Sequence, residues 1–402
     1  YLLHDKPMQR RFESDLILRA ADLLLQERVP KTPRPIFPHV TEASVTAMPT
    51  TSVERLVRDF TATEEITPEV QLLSNGQYHV VLTTSGGGYS RWRDLALTRW
   101  REDSTRDCWG SFCFLKDIDN GSYWSTTQHP TLRSPKRHAI HFTQSKAEFF
   151  RSSDRFDTTT EISVSPEDDV ELRRVTITNR NKTARTIEIT SYSEVILASL
   201  AQDLSHPAFS NLFVQTELVR ERNAIFCTRR PRSAEENPPW LVHMMTIQGT
   251  SQGDVSFETD RMKFIGRGRN ISNPIAMDRS GPLTDSQGSV LDPVVSIRRT
   301  IRIESGESIR IDLVTGAGET RDSVSALMTK YSDPSLADRV FELAWTHSQI
   351  QLRQLNTSES DALIYCQMAG SIIYASSLRR AKSATLLRNR RGQSSLWSYG
   401  IS

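Results

Sequence analysis

Val170-Glu171-Leu172-Arg173-Arg174-Val175-Thr176-Ile177-Thr178, followed after Asn179-Arg180-Asn181 by Thr186-Ile187-Glu188-Ile189-Thr190-Ser191-Tyr192, is the stretch that decides the fold class. Both runs are rich in β-branched residues and nearly alternate apolar with polar side chains, the period-two pattern of strands. The same texture extends both ways. Upstream lie Tyr78-His79-Val80-Val81-Leu82-Thr83-Thr84 and Glu161-Ile162-Ser163-Val164; downstream come Val294-Val295-Ser296-Ile297 and Ser308-Ile309-Arg310-Ile311-Asp312-Leu313-Val314. Turn residues punctuate them at Ser74-Asn75-Gly76, Asp119-Asn120-Gly121, Asn179-Arg180-Asn181 and Glu304-Ser305-Gly306-Glu307. Strands at this density, with no helical pattern between them, predict a mainly β fold: a large antiparallel sandwich from about residue 51 to 334.

Helical periodicity flanks this zone. Residues 8–29 place Phe12, Leu16, Ala20, Leu23 and Leu24 at helical spacing, and Pro30 stops the run. Residues 30–50 hold Pro30, Pro33, Pro35, Pro38 and Pro49 among Thr and Ser, and read as an extended linker. After Ser335, Leu336, Val340, Leu343, Ala344 and Ile350 share one helical face. A second helix over about 358–378 carries Ala362, Leu363, Cys366, Ala369, Ile372 and Ile373. An apolar face on these helices is expected to need a cover. Residues 379–402, ending in Leu396-Trp397-Ser398-Tyr399-Gly400-Ile401-Ser402, read as the start of a further domain, so the chain is expected to be part of a longer one.

Composition excludes several classes. Fifty basic and 48 acidic side chains leave a net charge of +2, which gives no reason to expect nucleic acid as partner. The longest uncharged apolar runs, such as Val195 to Ala201, fall far short of the roughly 20 residues a membrane helix requires. Cys108, Cys113, Cys227 and Cys366 have neither redox nor zinc spacing and read as reduced thiols.

The densest cluster of chemistry-bearing residues is Ser85-Gly86-Gly87-Gly88-Tyr89-Ser90-Arg91-Trp92-Arg93-Asp94, continuing to Thr98-Arg99-Trp100-Arg101-Glu102-Asp103 and Asp107-Cys108-Trp109-Gly110. No GK[ST] follows the glycines and no helix opens after them, so they form neither a P-loop nor a dinucleotide fingerprint. The mixture of Trp, Tyr, Arg and Asp suits sugars, whose apolar C–H faces stack on rings and whose hydroxyls bond charged groups. A tight hairpin with its Arg–Asp pairs and Trp residues packed between sheets fits the same residues, and the residues alone place it slightly ahead. His138 and His141, three apart on an expected strand, face opposite sides and do not ligate one metal together. Asp117/Asp119 and Glu167/Asp168/Asp169 read as solvated turn residues rather than the facing carboxylates of a glycosidase. Arg220-Glu221-Arg222-Asn223 and Arg229-Arg230-Pro231-Arg232 read as exposed loop charges.

The phrases Leu73-Ser74-Asn75-Gly76-Gln77-Tyr78-His79-Val80, Gly86-Gly87-Gly88-Tyr89-Ser90-Arg91-Trp92-Arg93-Asp94, Thr98-Arg99-Trp100-Arg101-Glu102-Asp103 and Asp107-Cys108-Trp109-Gly110 resemble the opening of the family 94 glycoside phosphorylase module. The version closest in phrasing is the one inside cyclic β-1,2-glucan synthases, which His206-Pro207-Ala208-Phe209-Ser210-Asn211-Leu212-Phe213 and the segment 8–29 also resemble. The segment 8–29 argues against a free-standing oligoglucan phosphorylase. The resemblance implies a β-supersandwich, two linker helices and then an (α/α)6 barrel. The family's catalytic Asp and phosphate-binding residues belong to the barrel, so no residue of this sequence inherits a catalytic role. It further implies a carbohydrate-binding part of a β-glucan-processing enzyme, with no cofactor and inorganic phosphate as co-substrate of the intact enzyme. The expected partners are β-1,2-glucan or a related oligosaccharide, the barrel of the same polypeptide and a second copy in a homodimer. The expected setting is a cytoplasmic domain of a parent anchored in a bacterial inner membrane. Within this reading Tyr89, Trp92 and Trp109 stack on glucose units, while Arg91, Arg93 and Asp94 bond hydroxyls from a loop over 86–94. A purely structural or dimerisation domain without sugar contact is the alternative.

Overall fold

A β-strand covered on both faces needs apolar or neutralised side chains at every position, whereas one facing water needs them only at alternate positions. The stretch Val170–Asn179 meets the stronger condition: Val170 and Leu172 face one side and Val175 and Ile177 the other, all fully buried. The computed structural model describes residues 57–61, 68–103, 105–231, 233, 236–248, 251–376, 379–392 and 394–397. The helix expected at 8–29 and the linker at 30–50 lie outside the described residues. The chain divides into two compact units, residues 52–376 and a unit made of its two ends. In the second unit the described elements are two short helices, Ser383–Arg388 and Ser394–Trp397.

In the first unit the strands begin with β1 (Arg58–Phe60), β2 (Val70–Ser74), β3 (Tyr78–Thr83), β4 (Gly88–Trp92), β5 (Leu95–Thr98) and β6 (Ser111–Asp117). They continue with β7 (Tyr123–Ser125), β8 (Arg137–Phe142), β9 (Ala147–Ser152), β10 (Phe156–Val164), β11 (Val170–Asn179) and β12 (Arg185–Ser199). Helices α1 (Leu200–Ser205) and α2 (Pro207–Asn211) precede β13 (Val214–Val219), β14 (Ala224–Arg229), β15 (Trp240–Gln248) and β16 (Ser251–Asp260). Helices α3 (Arg261–Ile265) and α4 (Ile275–Asp278) follow, then β17 (Gly288–Ser289), β18 (Pro293–Ile303) and β19 (Ser308–Gly318). The unit ends with α5 (Arg321–Tyr331), α6 (Pro334–Gln354) and α7 (Glu359–Ile373).

Two antiparallel sheets result. One runs β1-β8-β9-β10-β11-β19-β15-β14-β13-β17; the other runs β16-β18-β12-β5-β4-β3-β2, with β6 and β7 paired off β12. The main core lies between them, where Tyr78, Leu82, Trp92 and Leu115 meet Phe142, Phe149, Ile162, Val175 and Ile311. The outer face of the first sheet (Val170, Leu172, Phe226, Val242, Met244) is covered by Val324, Met328 and Tyr331 of α5 and Ala337 and Val340 of α6. On the second sheet, Phe264 and Ile265 of α3 and Ala276 and Met277 of α4 cover Phe112, Phe114 and Tyr192.

The short helices α1–α4 and the longer α5 correct the expectation that the zone from 51 to 334 holds no helix, and α5 is the one that covers a sheet with α6. The start of α5 is set by a capping box in which Thr320 and Ser323 satisfy each other's backbone N–H groups. The expected helices over 336–355 and 358–378 correspond to α6 and α7, whose exposed residues include Ile350, Ile364, Tyr365, Met368 and Ile372. Arg229, expected in an exposed loop, is buried on β14 and donates to the Ile196 carbonyl (3.0 Å). Of the carboxylates at 167–169, Glu167 is exposed in its turn as expected, while Asp168 and Asp169 are half-buried and each is tied to another element. Glu167 pairs with Arg339 (2.6 Å), Asp168 accepts from Lys330 (2.6 Å) and Tyr331 Oη (2.7 Å), and Asp169 accepts from Trp92 Nε1 (2.7 Å).

β11 and β12, adjacent in sequence, lie in different sheets, and so do β18 and β19. The two crossings sit side by side and share Asn179, whose amide donates to the carbonyls of Thr183 (2.9 Å), Ile303 (2.9 Å) and Glu304 (3.2 Å). Asn179→Ala removes all three bonds, one of them to the buried Ile303 carbonyl, and should destabilise the fold by about 1–3 kcal/mol, read as a lower urea midpoint at unchanged slope.

Between the sheets His243 is fully buried, with Nε2 2.9 Å from Ser191 Oγ and Nδ1 2.9 Å from Thr315 Oγ1. Burial, with Arg173 adding to it, pushes its pKa from 6.5 down to about 4. Between those values the unfolded chain binds a proton that the folded one refuses. Stability from this residue is therefore complete above pH 6.5 and falls as pH drops toward 4, by on the order of 3 kcal/mol in total. His243→Gln should lower stability at pH 7 yet flatten the loss between pH 6.5 and 4.5; an equally steep loss in the variant would assign it to other groups.

Candidate functional site

The glycine run makes a turn and opens a strand, where a continuous loop over 86–94 is expected. Thr83 N–H donates to the Gly87 carbonyl and Gly86 N–H to the Thr83 carbonyl, both at 2.9 Å. β4 then alternates: Gly88, Ser90 and Trp92 are buried while Tyr89 and Arg91 are half-buried. That period of two is obscured in the sequence by Gly88 and the charged Arg91, neither a strand-favouring residue. The loop reading is corrected accordingly to two turns, at 84–87 and 93–94, joined by five strand residues.

Each glycine admits a neighbour. Gly88 sits at φ 141°, and a Cβ there would lie 1.9 Å from the Val81 carbonyl oxygen. A Cβ on Gly87 would lie 2.3 Å from the Asp107 carboxylate. Asp107 fills that space, accepting from Thr83 Oγ1, Ser85 Oγ and Tyr374 Oη, the last at 3.3 Å. Gly88 N–H donates to the Trp109 carbonyl (2.8 Å), which stitches 107–110 onto the start of β4. Beside Asp107 runs a row of rings. Tyr89 packs on Trp100 at 5.1 Å between centroids, and Trp100 meets Tyr374 edge-on at 5.9 Å. Burial, with Asp107 adding to it, pushes the Tyr374 hydroxyl up, so it stays a neutral donor to that carboxylate.

The six residues singled out by sequence separate into three places. Tyr89 and Arg91 are half-buried on the outer face of β4, and Trp109, also half-buried, is tied through its carbonyl to the start of that strand. Trp92 points the other way, 4% exposed in the main core, with its indole N–H on Asp169. Arg93 and Asp94 are exposed at the far turn. Arg93, in the left-handed region at φ 52°, lies over the Trp92 ring (4.6 Å), donates to Gln77 (3.0 Å) and pairs with Glu319 (2.6 Å). The two ends of β4 are separated by roughly 13–17 Å at the strand rise. Trp100, Asp107 and Tyr374 were not singled out; Trp100 and Asp107 stand in the quoted phrases, while Tyr374 is remote in sequence and gives no local signal.

Two of those phrases meet in a buried charge network. Arg99 donates to Glu194 (2.7 Å), Asp292 (3.1 Å) and Asn211 (2.8 Å), and Arg261 donates to Glu194 (2.6 Å). Burial raises the Asp292 pKa, while Arg99 pulls it back down. Two guanidinium groups facing two carboxylates leave the cluster near neutrality, a structural arrangement that holds α2 against β5.

A separate surface cavity of about 430 Å3 opens where the β6–β7 turn faces the β9–β10 turn. Tyr123, Trp124, Arg133, Arg155 and Phe156 line it, together with Asp117. Asp117, expected as a solvated turn residue, is fully buried within it. Among the described residues no group of three or more metal-ligating side chains is brought together, and no helix is long and apolar enough to cross a membrane.

Two face-to-face antiparallel sheets with helices on their outer faces define a supersandwich domain. Residues 53–334 match the family described as glycosyl hydrolase 94, supersandwich domain. The chain belongs to that family. It is 33% identical over 394 residues to the cyclic beta-(1,2)-glucan synthase NdvB of Rhizobium meliloti, which covers 97% of this chain and 14% of that protein. It is 22% identical over 286 residues to an N,N'-diacetylchitobiose phosphorylase of Vibrio furnissii, covering 68% of this chain and 34% of that one. The chain thus spans 14% and 34% of the lengths of these two relatives. Among solved structures, a bacterial glucoamylase complexed with acarbose aligns at a TM-score of 0.39 and 7% identity, over 74% of this chain and 38% of that one.

Two glycines with positive φ separate steric need from conformational need. Gly88→Ala drives a methyl into the Val81 carbonyl and should cost about 3 kcal/mol or more. Gly121, at φ 72° with nothing within 4 Å of a built Cβ, should cost only about 1 kcal/mol when replaced by Ala. Thermal unfolding of the two variants tests the difference.

Proposed function

We propose that this domain binds β-1,2-glucan or a related β-gluco-oligosaccharide along the outer face of β4 and presents it to a catalytic domain elsewhere in the parent polypeptide. The observation that carries the reading is the row Tyr89–Trp100–Tyr374 beside the Asp107 carboxylate, at the place where three glycines clear the backbone. The half-buried rings of Tyr89 and Trp100 supply apolar faces for pyranose C–H groups, backed by the buried Tyr374, and Arg91 supplies donors for hydroxyls. In this proposal Tyr89, Arg91 and Trp109 touch sugar. Trp92 acts by fixing the strand from its core side, and Arg93 and Asp94 shape the far turn. The exposed apolar residues of α6 and α7 support a covering domain that follows in the same polypeptide, with inorganic phosphate as the co-substrate of the whole enzyme.

A purely structural role is the second reading. It is favoured by Asp107, whose partners Thr83, Ser85 and Tyr374 all belong to this domain. Calorimetric titration of the 402-residue chain with linear β-1,2-gluco-oligosaccharides separates the two. Binding that weakens roughly tenfold in Trp109→Ala, with unchanged unfolding temperature, supports the sugar face. Titration heats identical in wild type and Trp109→Ala would leave the structural reading standing.

A further inference from the structure

The cavity between the β6–β7 and β9–β10 turns shares no lining residue with the β4 face, and nothing in the reading above uses it. Its volume of about 430 Å3 lies within the roughly 300–1,000 Å3 of small-molecule sites. Its apolar part is built rather than incidental. Trp124 stacks on Phe156 at 5.5 Å and 25°, and the Arg133 guanidinium lies 4.4 Å over the Tyr123 ring. Its back wall is held by Arg151, which is buried and donates to the Thr127 carbonyl (2.7 Å) and to the Arg133 carbonyl. That wall thus keeps its shape whether or not a ligand is bound.

The polar groups decide the ligand's chemistry. Asp117 is fully buried; one oxygen accepts from the Asp119 N–H (3.1 Å) and the other lies 3.4 Å from Arg155. Sealed from solvent, Asp117 holds Arg155 at the floor, while the exposed side chains of Asn120 and Asp154 supply acceptors in the lining. Arg133 and Arg155 are exposed and offer donors from the rim. Donors and acceptors side by side around aromatic rings match a neutral polyhydroxyl ligand. An anion such as phosphate would gain from the arginines but would be opposed by Asp117 and Asp154.

We propose that this cavity is a second carbohydrate subsite, which holds a neutral oligosaccharide at a distance from the β4 face. A domain with two such subsites holds one glucan chain at two points, and joint occupancy strengthens retention beyond either site alone. The inference does not depend on sugar binding at β4, because the two places share no residue.

The test is calorimetric titration of the full chain with linear β-1,2-gluco-oligosaccharides, in wild type, Arg133→Ala, Arg155→Ala and Trp109→Ala. Arg133 is exposed and its variant is expected to fold, whereas Arg155→Ala takes a cation from buried Asp117, so weakened binding in that variant counts only at unchanged unfolding temperature. The expected result is a binding step that persists in Trp109→Ala and weakens roughly tenfold in each arginine variant. Inorganic phosphate at millimolar concentration should not compete. Unchanged isotherms in both arginine variants, loss of all binding in Trp109→Ala, no binding by wild type, or displacement by phosphate would each overturn the proposal. Failure at β4 alone would show as a step insensitive to Trp109→Ala but sensitive to the arginines.

Discussion

A carboxylate buried between two β-sheets has to be neutralised where it lies, and Glu171 sets that condition for this domain. It stands on β11, 1% exposed, and accepts from Arg173 Nε and Ser90 Oγ, both at 2.5 Å. Arg173 in turn donates to the Ser111 carbonyl (2.6 Å). Because Ser90 and Ser111 belong to the second sheet, the pair ties the sheets together in one register. A relative slip would strand the charge, and a buried ion losing its partner costs about 3–5 kcal/mol. The apolar core around it supplies the bulk of the stability without choosing a register, since hydrophobic burial is non-directional.

The same strand shows how the helices are recruited. Its other face presents Val170, Leu172 and Arg174, and Arg174 pairs with Asp312 (2.7 Å) and with Asp338 of α6 (2.5 Å). Tyr331 and Lys330 of α5 reach Asp168 just before the strand begins. The linker helices are therefore held to the sandwich by charges as well as by packing. On the second sheet α7 covers Val70 and Val81, and Tyr374 at its end reaches Asp107 beneath the glycine turn. The candidate sugar face is thus assembled from the two extremes of the domain, some 270 residues apart in sequence, and exists only when α7 is docked.

Much of this was legible in the sequence. The runs at 78–84, 161–164, 170–178, 186–192, 294–297 and 308–314 lie on strands except for Thr84, which opens the glycine turn, because period-two alternation and β-branched residues report a pleated surface directly. Helices α6 and α7 were equally plain from their spacing. The strand β4 was not, since its glycines and Arg91 mask the alternation. Helix α5 is short, and its apolar positions Val324, Leu327, Met328 and Tyr331 stand among polar residues within three turns, a weak periodic signal despite Gly316 and Gly318 before it. The turn carboxylates misled most: Asp117, Asp168 and Asp169 have the local signature of solvated turns, and their partners Arg155, Lys330, Tyr331 and Trp92 come from elsewhere in the chain.

By itself the sequence determined the sandwich class, the helical flank after residue 334, the near-neutral charge and the family, because each is written in local periodicity, composition or contiguous motif. Tertiary structure alone decided that Trp92 belongs to the core while Tyr89 and Arg91 face outward. It also paired Asp107 with Tyr374, routed the two crossings through Asn179 and opened a cavity at Asp117. Those outcomes depend on which face of a strand a second sheet covers and on which distant side chain reaches a buried polar group. Neither is fixed by neighbours in sequence, because burial and hydrogen-bond satisfaction are settled only when separated segments meet.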